Sequence, residues 1–489
     1  MSRSAAALAA VMLCAPVLRG ADDLETQMKA VLDAYAAVER NAADAVDPGQ
    51  AFYQGAIPGL LRSLDPHSIF FDPDQFLQLK DMESSTQKGF GSVVSVMPGR
   101  VIVLQTLPGT PSAKAGLAPG DDILAINGYE IARLDLDQLK ELLGEAHQRP
   151  AQMVVSRPGS ARLLQFTLTP AEMQTPSVDR AFFLGPAIGY IRVASFEEKT
   201  AEQLQAAVEK LGGKELKGLV LDFRDNPGGL VAAAVQTASL FLDPGLEIVT
   251  VRGRNVPERN EAAPPNAQPY RFKLAILING KTASASEIVT GALQDHDRAT
   301  ILGEPSYGKG LVQSVFPLSQ STGLALTTAL YYTPSGRSIQ KPLDVARFEL
   351  AGATANPNAK ATYRTDKGRA VEGGGGIQPD VKVYPEPMNR LRVALEASGS
   401  FTSFATEYLR GHQVTQDLEI TPQMADQFLV FLSDRGIQPG VADWFREREF
   451  VYGRLKVEIF NQAFGVEKGD EVEAQRDPVI QKAVEILGL

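Results

Sequence analysis

Three side chains, Ser284, Lys309 and Gln313, have types and spacing that could do chemistry. A serine hydroxyl is a weak nucleophile and attacks a carbonyl only when an adjacent base takes its proton. A lysine serves as that base once burial or a nearby cation lowers its pKa from about 10.4 toward neutrality. Gln313 follows Lys309 by four residues. In an extended strand that even offset predicts both side chains on one face. A neutral amide there orients the amine without adding a negative charge that would raise its pKa. The tetrahedral intermediate of acyl transfer needs N–H donors. Ala285 N–H, at the start of a helix, is one candidate. Gly228 or Gly229, in the Pro227-Gly228-Gly229 turn, supplies the other, and spacing does not choose between them.

Each piece has a plainer reading. Ser284-x-x-Glu287 is also a capping box ahead of an apolar run, which would make Ser284 only a helix cap. Lys309, Gln313 and the glycine turn together weigh against that. Gly303-x-x-x-x-Gly308-Lys309 mimics a phosphate-binding loop, but Gly310 stands where a Ser or Thr would hold magnesium, and a strand pattern follows. The four histidines, His67, His147, His296 and His412, have no zinc-ligand spacing and no companion motif of a Ser-His-Asp triad. His67 reads as structural, as do Asp222 and Arg224, paired with each other or a neighbour.

The elements around these residues alternate. Apolar strand patterns at 188–193, 218–223, 274–278, 299–302, 311–316 and 324–332 are interleaved with helical patterns at 201–210, 230–241 and 286–294. This predicts a layered α/β core with Ser284 between a strand and a helix. Residues 255–270 and 341–362, rich in Pro, Asn and Ala, read as surface loops, and 373–376 as a flexible glycine hinge. Short alternating strands at 92–96, 101–106, 153–156 and 163–168, with a helix at 135–145, predict a small mixed domain. Helical spacing marks 22–47 and 51–64. The chain is mostly helical again after 387, with Phe401, Phe404, Tyr408, Leu429 and Phe431 as core positions and Trp444 in a charged helix.

Two resemblances follow from quoted residues. Residues 89–168 resemble a bacterial PDZ domain through Gly89-Phe90-Gly91-Ser92-Val93-Val94, Pro111-Ser112-Ala113-Lys114-Ala115-Gly116-Leu117 and Pro119-Gly120-Asp121-Asp122-Ile123-Leu124-Ala125-Ile126-Asn127-Gly128. A glycine-bounded loop turns successive N–H groups toward one point and cradles a carboxylate, so Gly89, Phe90 and Gly91 are the candidate carboxylate-binding residues. The strand after them is expected to pair with a substrate chain. Residues 50–385 resemble the carboxyl-terminal processing peptidases, also called tail-specific proteases. The match rests on Leu221 to Leu230, Thr282 to Glu287, Gln294-Asp295-His296, Gly308-Lys309-Gly310, Gln313, and Tyr331 to Gln340. That resemblance implies a Ser–Lys serine endopeptidase on a crotonase/ClpP-like α/β core. Ser284, rather than Ser286, would be the nucleophile, Lys309 the base, Gln313 its positioning partner, and the glycine turn the oxyanion hole. It implies no metal or cofactor, protein substrates with free C-termini, and allows an adaptor protein, PDZ gating and homo-oligomers. The expected division is a signal peptide 1–20, helical region 21–83, PDZ domain 84–172, protease core 173–386 and helical region 387–489. Two rivals are a non-catalytic PDZ scaffold and a hydratase-like or acyl-transferring enzyme. The intact catalytic set opposes the first, and the PDZ segment is idle in the second.

Composition bounds the setting. The 489 residues suit two to four domains. The net charge of −10 removes the basic footprint that nucleic-acid binding needs. Arg3, the apolar run Ala5–Leu18 and small residues at Gly20 and Ala21 read as a secretory signal. The expected location is the periplasm or cell envelope, with membrane association if that segment stays uncleaved. Cys14, the only cysteine, lies inside it, so the processed chain would hold no disulfide, thiol nucleophile or thiolate metal site.

Overall fold

The computed structural model describes residues 21–83, 86–147, 149–174, 176–341 and 362–488. The expected leader with Cys14, and most of the expected loop 341–362, lie outside them. Among the described residues no helix is long and apolar enough to cross a membrane.

A six-stranded central sheet runs in the order Val178–Gly185, Ile188–Val193, Gly218–Asp222, Lys273–Ile278, Thr300–Gly303, Val381–Lys382. The first pair is antiparallel and the rest are parallel. Gly218–Asp222 is buried along its whole length. It reads as an unbroken apolar run because both faces of a parallel sheet are covered. Helices Thr200–Lys210, Val231–Ser239 and Ala285–Asp295 cover one face, packing Leu204, Val208, Ala234, Ile288 and Val289 on Ile191, Leu219 and Ile276. The other face is covered from the far end of the chain. The last helix, Pro478–Leu487, sets Val479, Ile480, Ala483 and Leu487 on Tyr190, Val220, Ala275 and Leu277. Lys273 Nζ fastens it, donating to the Leu487 carbonyl at 2.8 Å. The C-terminal region thus supplies a layer of the α/β core, a role its helical pattern alone did not disclose.

A second, five-stranded sheet joins Ile69–Phe71, Gly323–Tyr332, Glu247–Arg252 and Arg259–Ala262, with Leu311–Pro317 paired to Gly323–Tyr332. Two expectations are corrected here. Residues 255–270 are not simply surface loop: Arg259–Ala262 is a strand, and Ala263 and Tyr270 are buried in the main core. The prolines around these anchors hid them. The stretch 373–376 is not a hinge either. Gly374 N–H donates to Ser338 O at 2.7 Å and Gly376 N–H to Ile339 O at 2.9 Å. A Cβ at Gly376 would stand 2.6 Å from the Ser306 carbonyl oxygen. Glycine there serves close packing rather than motion. The first helix stops at Asn41, short of 47, and the second begins as a π-helix, Gln50–Ala56, before Ile57–Arg62.

Residues 92–168 form a separate small sheet with helices Pro111–Ala115 and Leu136–Ala146 and a core of Val101, Val103, Ile123, Ile126, Leu139 and Val155. The C-terminal helices close around Phe401, Phe404, Phe428, Phe431 and Trp444. They also touch the small domain: Arg100 donates to Ser403 Oγ, and Val466 N–H to Gln105 Oε1 at 3.1 Å.

Candidate active site

Ser284 follows the central strand Lys273–Ile278 and caps the helix Ala285–Asp295 at φ 57°, ψ −117°. A non-glycine residue in that region costs roughly 1–3 kcal/mol and persists only where its surroundings over-determine it. A strained strand-to-helix turn of this kind lifts a serine hydroxyl clear of the sheet. The capping box is present as well, with Ser284 N–H donating to Glu287 Oε2 at 2.8 Å. The cap and the strained Ser284 turn are one feature.

The glycine turn lies against it. A Cβ on Gly228 would stand 2.8 Å from Ser284 Cβ and 2.9 Å from Ala285 N. Fully buried Asn226 shapes this loop, which sequence reading missed. Its Nδ2 donates to Val193 O at 2.7 Å, its Oδ1 accepts from Gly228 N–H at 2.8 Å, and its carbonyl accepts from Ala283 N–H at 3.0 Å. Asn ahead of Pro-Gly-Gly is a turn signal that could have been read. Among the described residues, Gly229 N–H and Ala285 N–H have no acceptor.

Lys309 sits between Gly308 and Gly310, and its Nζ donates to Gln313 Oε1 at 2.9 Å. The contact is as expected, but its cause is different. Lys309 precedes the strand Leu311–Pro317, and the register slips between Val312 and Gln313, so strand alternation does not bring the two together. The glycine-flanked turn does. Gln313 Nε2 in turn donates to the His67 carbonyl. The turn holding His67 is stitched down by Asp65, which is buried and accepts from His67 N–H at 2.7 Å, Ser68 N–H at 2.8 Å and Ser68 Oγ at 2.6 Å. Thr327, paired with Gln313 across the sheet, also donates its hydroxyl to Asp65 at 3.2 Å. His67 is therefore structural through its backbone and touches the site through Gln313. Burial lowers the Lys309 pKa, opposed by the charges of Asp65 and Glu287. Burial and the Lys309 charge lower that of His67.

Glu287 organises the site, and sequence reading gave it only the capping role. It is fully buried. Oε1 accepts from Ser306 Oγ at 2.5 Å and Gly308 N–H at 2.8 Å; Oε2 accepts from Ser284 N–H at 2.8 Å and Lys309 N–H at 2.9 Å. Burial raises its pKa against the pull of these donors. One carboxylate oxygen thus binds the backbone of both Ser284 and Lys309.

Asp222 and Arg224 pair as expected, and Arg224 Nη1 also meets Asp477 of the C-terminal region at 2.6 Å. In the small domain the Phe90 ring is core, not ligand surface. The Phe90 and Gly91 carbonyls accept from Ser112 and Leu107 N–H, both at 2.8 Å. Their own N–H groups have no acceptor among the described residues. The strand Ser92–Met97 that follows is an edge strand, paired among the described residues only with Arg100–Thr106.

Comparison with known proteins bears on the family of the chain. The profile of peptidase family S41 matches residues 187–347 and that of the PDZ domain 78–156. A carboxy-terminal-processing protease of Bartonella bacilliformis is 41% identical over 302 residues, covering 60% of this chain and 68% of the relative. The carboxy-terminal processing protease CtpB of Bacillus subtilis is 30% identical over 317 residues, covering 64% of this chain and 66% of the relative. The solved structure of a photosystem II D1 C-terminal processing protease is 27% identical, covers 72% of this chain and 92% of that one, and superposes with a TM-score of 0.41. The chain belongs to the carboxy-terminal-processing proteases, serine-type peptidases of family S41 that carry a PDZ domain.

Proposed function

We propose that Ser284 is the nucleophile and Lys309 the general base of an endopeptidase that cuts near the C-terminal ends of proteins. The observation that carries this is the shared Glu287 Oε2, which ties the Ser284 and Lys309 backbones into one unit. Ser284 Oγ attacks the peptide carbonyl carbon while Lys309 Nζ takes its proton. Collapse of the tetrahedral intermediate breaks the C–N bond, and Lys309 returns the proton to the leaving amine. Water then hydrolyses the acyl-enzyme with Lys309 again as base. Gln313 holds the amine through a neutral oxygen, so it adds no negative charge to oppose the lowering of the pKa by burial. Because the Gly228 N–H is occupied by Asn226, the reading favours Gly229 and Ala285 N–H as the oxyanion donors and Gly228 as the residue whose missing side chain lets the turns meet.

In this reading the free N–H groups at Phe90 and Gly91 hold the substrate carboxylate, and its tail adds to the open edge of Ser92–Met97. The proposed division stays 1–20, 21–83, 84–172, 173–386 and 387–489, with Ile69–Phe71 and Pro478–Leu487 reaching from the flanking regions onto the core. The substrates are envelope proteins, reached after export across the inner membrane. The PDZ domain, clasped by the C-terminal helices, is the element an adaptor or a second copy would move. Two comparisons test this part. A tail with a free carboxylate should be cut faster than its C-terminal amide; equal rates remove carboxylate capture. Deleting residues 89–168 should speed cleavage of an unstructured peptide if the domain is a lid; unchanged cleavage removes gating.

A further inference from the structure

Glu287 bridges the Ser284 and Lys309 N–H groups; a second side chain bridges their carbonyls. Tyr331, in the strand Gly323–Tyr332, is 1% exposed. Its hydroxyl lies 3.0 Å from the Ser284 carbonyl oxygen and also bonds the Lys309 carbonyl oxygen. Its own N–H donates to Gly310 O at 3.1 Å, so the same residue grips the base turn twice. The two carbonyls do not depend on it equally. Ser284 O also accepts from Glu287 N–H at 2.8 Å and Ile288 N–H at 3.0 Å. Lys309 O has no other donor among the described residues. Burial, with the charge of Glu287, holds the phenol well above its ordinary pKa, so it stays a donor through any working pH.

We infer that Tyr331 is a positioning residue that sets the separation of the nucleophile turn and the base turn; this rests on the Ser284–Lys309 reading above. The turn Gly308-Lys309-Gly310 is flanked by glycines and has little stiffness of its own. Without the hydroxyl, the Lys309 carbonyl is left unpaired in a dry site and must rotate toward water to recover a partner. That rotation carries Nζ away from Ser284 and into better solvation, which favours its charged form.

The test compares full-length wild type, Tyr331→Phe, Tyr332→Phe and Ser284→Ala on an unstructured protein substrate across pH. Folded fraction is checked by circular dichroism below the melting transition. Tyr332→Phe is the neighbouring control, since that ring faces Arg252 at 4.9 Å rather than the site. Tyr331→Phe should lower kcat by about 10- to 100-fold, the scale for a misplaced catalytic group. KM should stay unchanged, and the pH midpoint of the rising limb should move upward. Wild-type kcat and midpoint in Tyr331→Phe would overturn the inference. So would a loss that only follows the folded fraction with the midpoint unmoved, which is what a purely structural tyrosine gives. If Ser284→Ala cleaves like wild type, the catalytic reading itself falls and the inference falls with it.

Discussion

Replacing Glu287 by Gln is the sharpest single perturbation of this site. The carboxylate accepts four hydrogen bonds, two on each oxygen. Glutamine keeps the shape but has one acceptor oxygen. If its amide nitrogen takes the Oε2 place, both the Ser284 and Lys309 N–H groups lose their acceptor. If it takes the Oε1 place, the Ser306 hydroxyl can turn and accept, and only the Gly308 N–H is orphaned. The second arrangement is preferred. It leaves one buried donor unpaired, worth about 1–3 kcal/mol, and weakens two charge-assisted bonds to neutral ones, roughly 1 kcal/mol each. Relief of the buried charge works the other way, as the raised pKa shows. The net expectation is a destabilisation of about 2–4 kcal/mol, concentrated in the catalytic core, with activity lost further than stability because the Lys309 turn loses its Gly308 anchor and the bonds to both turns weaken. Urea unfolding followed by tryptophan-independent circular dichroism, with cleavage assayed on the folded fraction, measures both. A stability change below about 0.5 kcal/mol with full activity would refute the argument that Glu287 holds the two turns together.

Other consequences follow from the same contacts. Gln313→Glu puts a negative charge on Lys309, which raises its pKa and opposes the lowering by burial. Activity needs the neutral amine and rises with pH through that pKa, so the midpoint should move to higher pH in a pH–rate profile. Gly228→Ala places a methyl against Ser284 and Ala285 at a φ of 99°, and cleavage should fall by at least about 100-fold, the cost of a spoiled oxyanion site. Asp65→Ala orphans the His67 and Ser68 N–H groups, costing about 2–4 kcal/mol by thermal or urea unfolding, and lowers kcat because Gln313 loses its fixed anchor.

The core was legible in sequence where physics leaves a local mark. Continuous apolar runs gave Ile188–Val193, Gly218–Asp222 and Lys273–Ile278, because strands buried on both faces need no alternation. Ser284, Lys309 and Gln313 stood out through the motifs shared with the carboxyl-terminal processing peptidases, while the capping box alone pointed to a helix cap. Long-range partners left weaker marks. Val178–Gly185 is an antiparallel edge of the central sheet, and its Asp and Arg residues obscure the strand pattern. Glu287 and Tyr331 sit inside motifs that read completely as a helix cap and a strand, so their second roles emerge only when distant turns are brought together. The Asp65–Ser68 turn lies 246 residues from Gln313 between the bonded positions His67 and Gln313, a contact no local pattern encodes. The last helix could be read as amphipathic but not assigned to the back of the sheet.

The most direct test of the central claim is cleavage of an unstructured protein with an apolar C-terminal tail by wild type, Ser284→Ala and Lys309→Ala. The account predicts that only the wild type cuts. Cleavage by Ser284→Ala at the wild-type rate would contradict it.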